Sequence, residues 1–369
     1  MKRSRDDPSA LLWGFPAGFF ERIEVRSCYE VDKNEVDKKS AVLNLNLFIS
    51  HVELSASNTS VTELGEGTYA NVVLLKRKQR RGKGRVERGG VAVKLRKDGT
   101  NQLTGLESME EKAVGKLFCD ENGGWREVEG LQSNWMKRTK DGMNLHFLTV
   151  ANYTLQDFMM LRRGASDATM KEFELDDILR QLLRGLAHIH SKGMIHGDIS
   201  SNNVLITDNE RKVAAWSDFG SSREVLCSPL IDCYPGTQGW YSREMLVSQT
   251  WTPTCLPVYN QSDEMWAYGV ICYNFKTGEH PFVRRGDVSM FSIFVNHSMF
   301  LGAADLKAVG VAENWRELAD VLPKFRRHPL PAPKREMSTV FSDMLVDSCL
   351  RTKLDGRPEN AVKLLRVVT

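Results

Sequence analysis

From Val61 to Lys94 apolar residues recur at strand spacing around a glycine turn and a basic turn, whereas from Ile178 onward they recur at helical spacing. A chain whose hydrophobic period changes in this way covers a sheet face in one region and helix stripes in another. That predicts an α+β fold of two lobes, a small strand-rich one followed by a larger helical one, with the natural active site in the cleft between them. Residues 145–151 add a buried-strand candidate, and residues 97–119 read as a helix after a polar lead-in. In the second half Ile178, Leu182, Leu186 and Ile189 form one stripe, widened by Leu179 and Leu183. Met265 to Phe275 is apolar on nearly every side, which predicts a central buried helix. The predicted division is an N-terminal extension over residues 1–55, a small lobe over 56–151 and a large lobe over 152–369. Within the extension, Leu43, Leu45, Leu47 and Ile49 alternate as in one strand.

Composition narrows the setting. With 369 residues, 41% of them hydrophobic, the chain can bury one large core or two modest ones. It contains no apolar run of about 18 residues, and the basic start Met1-Lys2-Arg3 lacks the apolar segment of a secretory signal. The expectation is an intracellular protein of cytoplasm or nucleus with no membrane partner. Seven cysteines, scattered without a C-x-x-C pair, predict reduced thiols rather than a disulfide framework or a zinc cage. A net charge of +3 gives no reason to expect a nucleic-acid partner, although residues 76–85 concentrate seven positive side chains. Such a run is first of all a solvated hairpin tip; nuclear import or docking on an acidic partner is the alternative.

Four short segments carry chemistry. In Leu64-Gly65-Glu66-Gly67-Thr68-Tyr69-Ala70-Asn71-Val72, two glycines let backbone N–H groups approach phosphate oxygens without an intervening Cβ. Alone, such a pair is more often an ordinary hairpin turn. In Val91-Ala92-Val93-Lys94 a lysine ends an apolar strand, burying its stem and projecting its charge. It requires a carboxylate partner from the following helix. Glu107, Glu110 and Glu111 are available, and Glu110 is preferred because Ala113, Val114 and Leu117 continue its face at i+3, i+4 and i+7. Farther on, His196-Gly197-Asp198-Ile199-Ser200-Ser201-Asn202-Asn203 sets a carboxylate five residues before an amide, and Asp218-Phe219-Gly220 begins fifteen residues later.

The order and spacing of these segments resemble the eukaryotic protein kinase superfamily, over roughly Val61 to Val367. Gly65 to Val72 is similar to the glycine-rich loop, with Ala70 in place of the third glycine. Val91 to Lys94 is similar to the V-A-I-K strand, His196 to Asn203 to the catalytic loop, and Asp218-Phe219-Gly220 to D-F-G. Gly236-Thr237 to Glu244 looks like the end of the activation segment, Asp263 to Gly269 like the D-x-W-S-x-G start of the large buried helix, and Arg357 like the arginine that pairs with the glutamate, here Glu244. The resemblance implies a serine/threonine protein kinase using ATP and Mg²⁺ on protein substrates. By this resemblance the nucleotide contacts are Gly65, Glu66, Gly67, Thr68, Tyr69, Ala70, Val72, Ala92, Lys94 and Glu110, with adenine near Thr149 to Ala151. Asn203 and Asp218 are the implied metal ligands and Asp198 the implied base. The aspartate opening the large helix, read as Asp263, is expected to brace the catalytic loop backbone. His190 is expected to be a helix-end residue and not a base.

Two departures matter. Gly197 stands where the family commonly has an arginine that grips an activation-loop phosphate, which implies that phosphorylation at Ser221, Ser222, Ser228, Tyr234 or Thr237 is not required for activity. Ser200 stands where a lysine helps neutralise the transferring phosphoryl group. Loops with a hydroxyl residue there resemble those of the small atypical kinases of tRNA-modification complexes and of herpesvirus-type kinases, so a large-DNA-virus branch is a second expectation. A pseudokinase scaffold and a small-molecule kinase are the alternative functions. The segment from Gly236 to Glu244 argues against the small-molecule class.

Overall fold

The structure, a computed structural model, describes residues 29–31, 41–43, 59–66, 70–77, 90–96, 98–99, 105–138, 144–164, 172–208, 211–225, 236–242, 245, 259–278, 280–281, 339–350 and 356–368. The chain divides into two compact units, one of Met1–Glu127 with Gln132–Ala151, the other of Val128–Leu131 with Asn152–Thr369. The basic run beyond Arg77, residues 44–49 of the extension, and Glu244 lie outside the described residues.

The first unit contains two sheets. Short strands β1 (Tyr29–Val31), β2 (Ala41–Leu43) and β6 (Asp98–Gly99) pair antiparallel in the order β1-β2-β6. The main sheet takes β3 (Thr59–Glu66), β4 (Ala70–Arg77), β5 (Val91–Arg96), β7 (Asn134–Arg138) and β8 (Asn144–Thr149) in the order β3-β4-β5-β8-β7, every pair antiparallel. The period of two assigns its faces. Val73, Val93 and Phe147 lie across from one another on one face and are at most 1% exposed. Lys94 and His146 are direct cross-strand partners on the other face. Helix α1 (Gly105–Phe118) buries Ala113, Val114, Leu117 and Phe118 at the helical spacing read from the sequence.

In the second unit α2 (Leu155–Gly164) precedes α3 (Glu172–Ser191), whose Ile178, Leu179, Leu182, Leu183, Leu186 and Ile189 are all fully buried. Strands β9 (Tyr153–Thr154), β11 (Val204–Asp208) and β12 (Lys212–Trp216) form a small antiparallel sheet with β11 in the middle, and β10 (Met194–Ile195) pairs with β13 (Arg223–Glu224). The predicted central helix is α4 (Gln261–Thr277), and every residue from Asp263 to Phe275 along it is buried. A capping box fixes its start, Asn260 accepting from the Ser262 amide while Asp263 accepts from the Asn260 amide. Gly278, in left-handed backbone at φ 73°, ends it. Helices α5 (Val340–Cys349) and α6 (Ala361–Val368) complete the unit. Tyr268 of α4 donates to the Leu179 carbonyl at 2.8 Å, and the Arg180 guanidinium lies 3.7 Å from the Phe341 ring centre, so α3 is tied to both α4 and α5. Cys119, Cys272 and Cys349 are free thiols, and burial pushes Cys349 up to about 12. Among the described residues no helix is long and apolar enough to cross a membrane.

Candidate active site

Strand β5 delivers Lys94 and helix α1 delivers its partner. Lys94 Nζ lies 3.0 Å from Glu110 Oε1, with the carboxylate only 2% exposed and the ammonium 16%. Glu110, the glutamate preferred from the sequence, is thus brought to Lys94. His146 Nε2 lies on the other side of that carboxylate, 3.9 Å from Glu110 Oε2. Ala92 and Ala70 are buried and Val72 is half-buried, opposite Lys94 in the β4–β5 register. Gly65 and Glu66 end β3 opposite Val72 and Asn71, while Gly67, Thr68 and Tyr69 lie outside the described residues. Thr149 ends β8; its amide donates to the Ser133 carbonyl at 3.3 Å and its carbonyl accepts from Gln132 Nε2 at 2.8 Å. Ala151 follows in irregular, half-buried backbone.

In the second unit the loop from His196 to Asn203 is closed by its own side chains. Asn203 Nδ2 donates to the Asp198 carbonyl at 2.8 Å and to Asp198 Oδ2 at 2.7 Å. Thr237 Oγ1 donates to the other carboxylate oxygen, Oδ1, at 2.9 Å. The carboxylate of Asp198 is therefore held at both oxygens by neutral donors, which keeps it an acceptor aimed by hydrogen bonds. With the Asn203 nitrogen committed to Asp198, its amide oxygen is directed away from that residue and remains a candidate ligand. Asp218, in left-handed backbone at φ 58°, is exposed and weakly accepts from the Gly220 amide at 3.4 Å. Its neighbour Phe219 is buried and its ring lies 5.5 Å from that of His196. Ser217 sends both its amide and its hydroxyl to the Asn203 carbonyl, and Ser222 sends its hydroxyl to the His196 carbonyl, so the two segments are stitched at three points.

Gly197 is required by this stitching. Its φ is +85°, and a Cβ built on it would lie 2.3 Å from the Ser221 carbonyl oxygen. No L side chain fits there without moving the backbone. Ser200 is 1% exposed and its hydroxyl makes no hydrogen bond.

The brace under this loop differs from the sequence expectation. Glu264, not Asp263, receives the loop backbone: Oε2 accepts from the His196 amide at 3.1 Å and Oε1 from the Gly197 amide at 2.7 Å. Asp263 is occupied by the helix cap and by the Ser242 hydroxyl. The spacing Glu264-Met265-Trp266 matches the carboxylate-x-Trp pattern directly, a signal the sequence already contained. His190 also serves the brace. Its Nδ1 accepts from the Ala361 amide at 2.9 Å, so the hydrogen sits on Nε2 and is donated to Glu264 Oε2 at 2.9 Å. Burial and the carboxylates of Glu264, Asp263 and Asp198 push the Tyr259 hydroxyl well above its ordinary value and keep it protonated. Arg357 is buried, donating to the Ser262 carbonyl at 3.3 Å, its guanidinium 5.0 Å from the Trp266 ring centre.

The donor set fits a hard divalent cation with a polyphosphate. One amide oxygen and one exposed carboxylate are oxygen ligands of the kind Mg²⁺ takes, and Mg²⁺ fills its remaining positions with water and phosphate. Among the described residues no cluster of three or more His, Cys, Asp or Glu side chains could hold a metal unaided. A cation at Asn203 and Asp218 therefore needs a ligand of its own to complete it.

The first unit thus pairs a lysine of a five-stranded antiparallel sheet with a glutamate of helix α1, and the second carries an aspartate, an asparagine and an aspartate on stitched loops among helices, in an α+β, two-lobed fold. The family model described as protein kinase domain matches residues 59–364, and this chain belongs to that family. It is 30% identical over 178 residues to cyclin-dependent kinase F-3 of Oryza sativa subsp. japonica, covering 47% of this chain and 38% of that protein. It is 30% identical over 225 residues to protein kinase ORF73 of Ictalurid herpesvirus 1, covering 58% and 21%. It is 31% identical over 134 residues to serine/threonine-protein kinase nekl-2 of Caenorhabditis elegans, covering 35% of each. The matches thus span well under half the length of these curated relatives.

Proposed function

We propose that the chain catalyses transfer of the ATP γ-phosphate to serine or threonine hydroxyls of protein substrates. The hydrogen bond from Thr237 to Asp198 carries this reading, because it aims the base and ties the activation-segment end to the catalytic loop. Lys94, fixed by Glu110, holds the α- and β-phosphates, and the strand turn from Gly65 to Val72 covers them. Adenine is held by backbone groups of Thr149 to Ala151. Asn203 and Asp218 hold Mg²⁺, which when bound neutralises charge on the phosphates. Asp198 orients the acceptor hydroxyl and takes its proton as the oxygen–phosphorus bond forms and ADP departs. Similarity to the serine/threonine-protein kinase nekl-2 supports the serine/threonine class. The likeness to a herpesvirus kinase supports a viral branch, and action in the cytoplasm or nucleus of a host cell is proposed with it.

Ser200 is the observation that favours a scaffold instead, since no lysine neutralises the moving phosphoryl group there. Incubating the protein with labelled ATP, Mg²⁺ and a mixed basic protein substrate, followed by phosphoamino-acid analysis, tests both readings. Labelled phosphoserine or phosphothreonine, absent with Asp198→Asn, is the expected result. No transfer despite nucleotide binding would establish the scaffold, and label on a metabolite alone would establish a small-molecule kinase.

A further inference from the structure

Thr237 is exposed, and its hydroxyl reaches Asp198 Oδ1 from a stretch of chain that starts at Gly236. Gly236 has φ +98°, and a Cβ built on it would lie 3.0 Å from the Gly197 carbonyl oxygen and 3.6 Å from Asp198 Oδ1. Glycine suits a backbone that passes so near the catalytic loop in that conformation, yet glycine is also the residue least confined to any one conformation. A hydroxyl aimed from the residue after it therefore needs another group to hold the turn.

That group is supplied five residues on, by Tyr241, which has no part in the phosphotransfer reading. After Thr237 comes one 3₁₀ turn, Gln238–Trp240, closed by the Trp240 amide on the Thr237 carbonyl at 3.0 Å. It returns Tyr241 to Gly236, and the Tyr241 hydroxyl donates to the Gly236 carbonyl at 2.9 Å. Tyr241 is 6% exposed, a burial at which a phenol needs such an acceptor. The next residue anchors it. Ser242, fully buried, donates its hydroxyl to Asp263 Oδ1 and accepts from the Met245 amide at 3.3 Å, while Asp263 Oδ2 holds the Asn260 amide in the cap of α4. A line of contacts thus runs from a buried helix cap through Ser242 and Tyr241 to the Gly236 carbonyl.

From this geometry we infer that Tyr241 is a positioning residue, whose hydroxyl fixes the Gly236 carbonyl and thereby holds the Thr237 hydroxyl on Asp198. The peptide unit joining Gly236 to Thr237 is planar, so holding its oxygen also sets where the Thr237 Cα leaves it. Because the inference rests on the reading of Asp198 as the base, its test reads the rate of transfer apart from binding, with the wild-type reaction as control.

Steady-state phosphorylation of one basic protein substrate is compared in wild type, Tyr241→Phe, Thr237→Ala, Thr237→Ser, and Tyr241→Phe combined with each Thr237 variant. MgATP affinity, by displacement of trinitrophenyl-ATP, and thermal unfolding are measured on the same proteins. The expected result is that Tyr241→Phe lowers kcat about five- to tenfold, with KM, MgATP affinity and unfolding temperature close to wild type. The same substitution lowers kcat as much again beside Thr237→Ser, which keeps a hydroxyl to be aimed. Beside Thr237→Ala, where no hydroxyl remains, its effect shrinks to less than about twofold. Wild-type kcat in Tyr241→Phe, an undiminished loss beside Thr237→Ala, or a loss carried by KM instead of kcat would overturn the inference while leaving the kinase reading intact. Failure of Tyr241→Phe to fold would assign the hydroxyl to the core and overturn it too. A wild-type protein that transfers no phosphate would remove the kinase reading and this inference together.

Discussion

Thr237 and Asp198, 39 residues apart in the chain, share a 2.9 Å hydrogen bond that fixes the carboxylate oxygen not already held by Asn203. A hydrogen bond to a charged group contributes about 1.5–3 kcal/mol. Thr237→Ala therefore lowers kcat about ten- to hundredfold, while Thr237→Ser, which keeps the donor, stays within about threefold of wild type. Steady-state kinetics on a protein substrate reads the difference, and equal activity in both variants would remove Thr237 from the mechanism.

Lys94 and Asp198 separate binding from chemistry. Lys94→Met takes the lysine partner from the buried Glu110 carboxylate, a change on the order of 3–5 kcal/mol in stability, and both transfer and MgATP affinity fall. Asp198→Asn abolishes transfer but leaves nucleotide binding within a few-fold of wild type. Comparable phosphorylation of a test protein by wild type and Asp198→Asn would falsify the assignment of the base.

Glu264 supports the loop from beneath, accepting from two backbone amides and His190 without exposure to water. Glu264→Ala leaves those donors unpaired and is expected to cost about 3–5 kcal/mol. Asp263→Ala removes a helix cap and the partner of Ser242, at a cost of about 1–2 kcal/mol. Denaturant unfolding of both variants checks the order. If Asp263→Ala proved the more damaging, the brace would belong to Asp263.

Restoring the family arginine at position 197 is expected to harm the protein. Gly197→Arg places a Cβ on the Ser221 carbonyl and forces an L residue into left-handed backbone, a conformational cost of about 1–3 kcal/mol before the clash is counted. Activity falls and the unfolding temperature drops. A stable Gly197→Arg variant that became dependent on activation-segment phosphorylation would show instead that the glycine is only a missing arginine.

His280, edge-on to Trp240 at 4.9 Å, has its pKa lowered to about 3 by burial, against the usual 6.5. The folded state thus keeps the ring neutral where the unfolded chain protonates it. The sign follows: stability is full above pH 6.5 and declines as pH falls from 6.5 towards about 3, with a limiting slope of about 1.4 kcal/mol per pH unit. Unfolding measured across this window in wild type and His280→Leu should show a shallower decline in the variant. Parallel curves would mean that His280 does not titrate differently on folding.

The α+β class, the strand that carries Lys94 and the buried α4 were legible because period and spacing are local properties of a chain. Glu110 was preferred on the same ground, since a helical face follows from i+3 and i+4 neighbours. What tertiary structure alone decided concerns groups far apart in sequence. Asp263 and Glu264 are adjacent, yet successive helical residues point about 100° apart; the cap took one and the loop amides took the other. Gly197 resembles a lost arginine in sequence, but in the fold the Ser221 carbonyl occupies the space a side chain would need. Sequence fixes which groups are available, but which of them meet is settled by packing, since a partner must both reach and leave no buried donor unpaired.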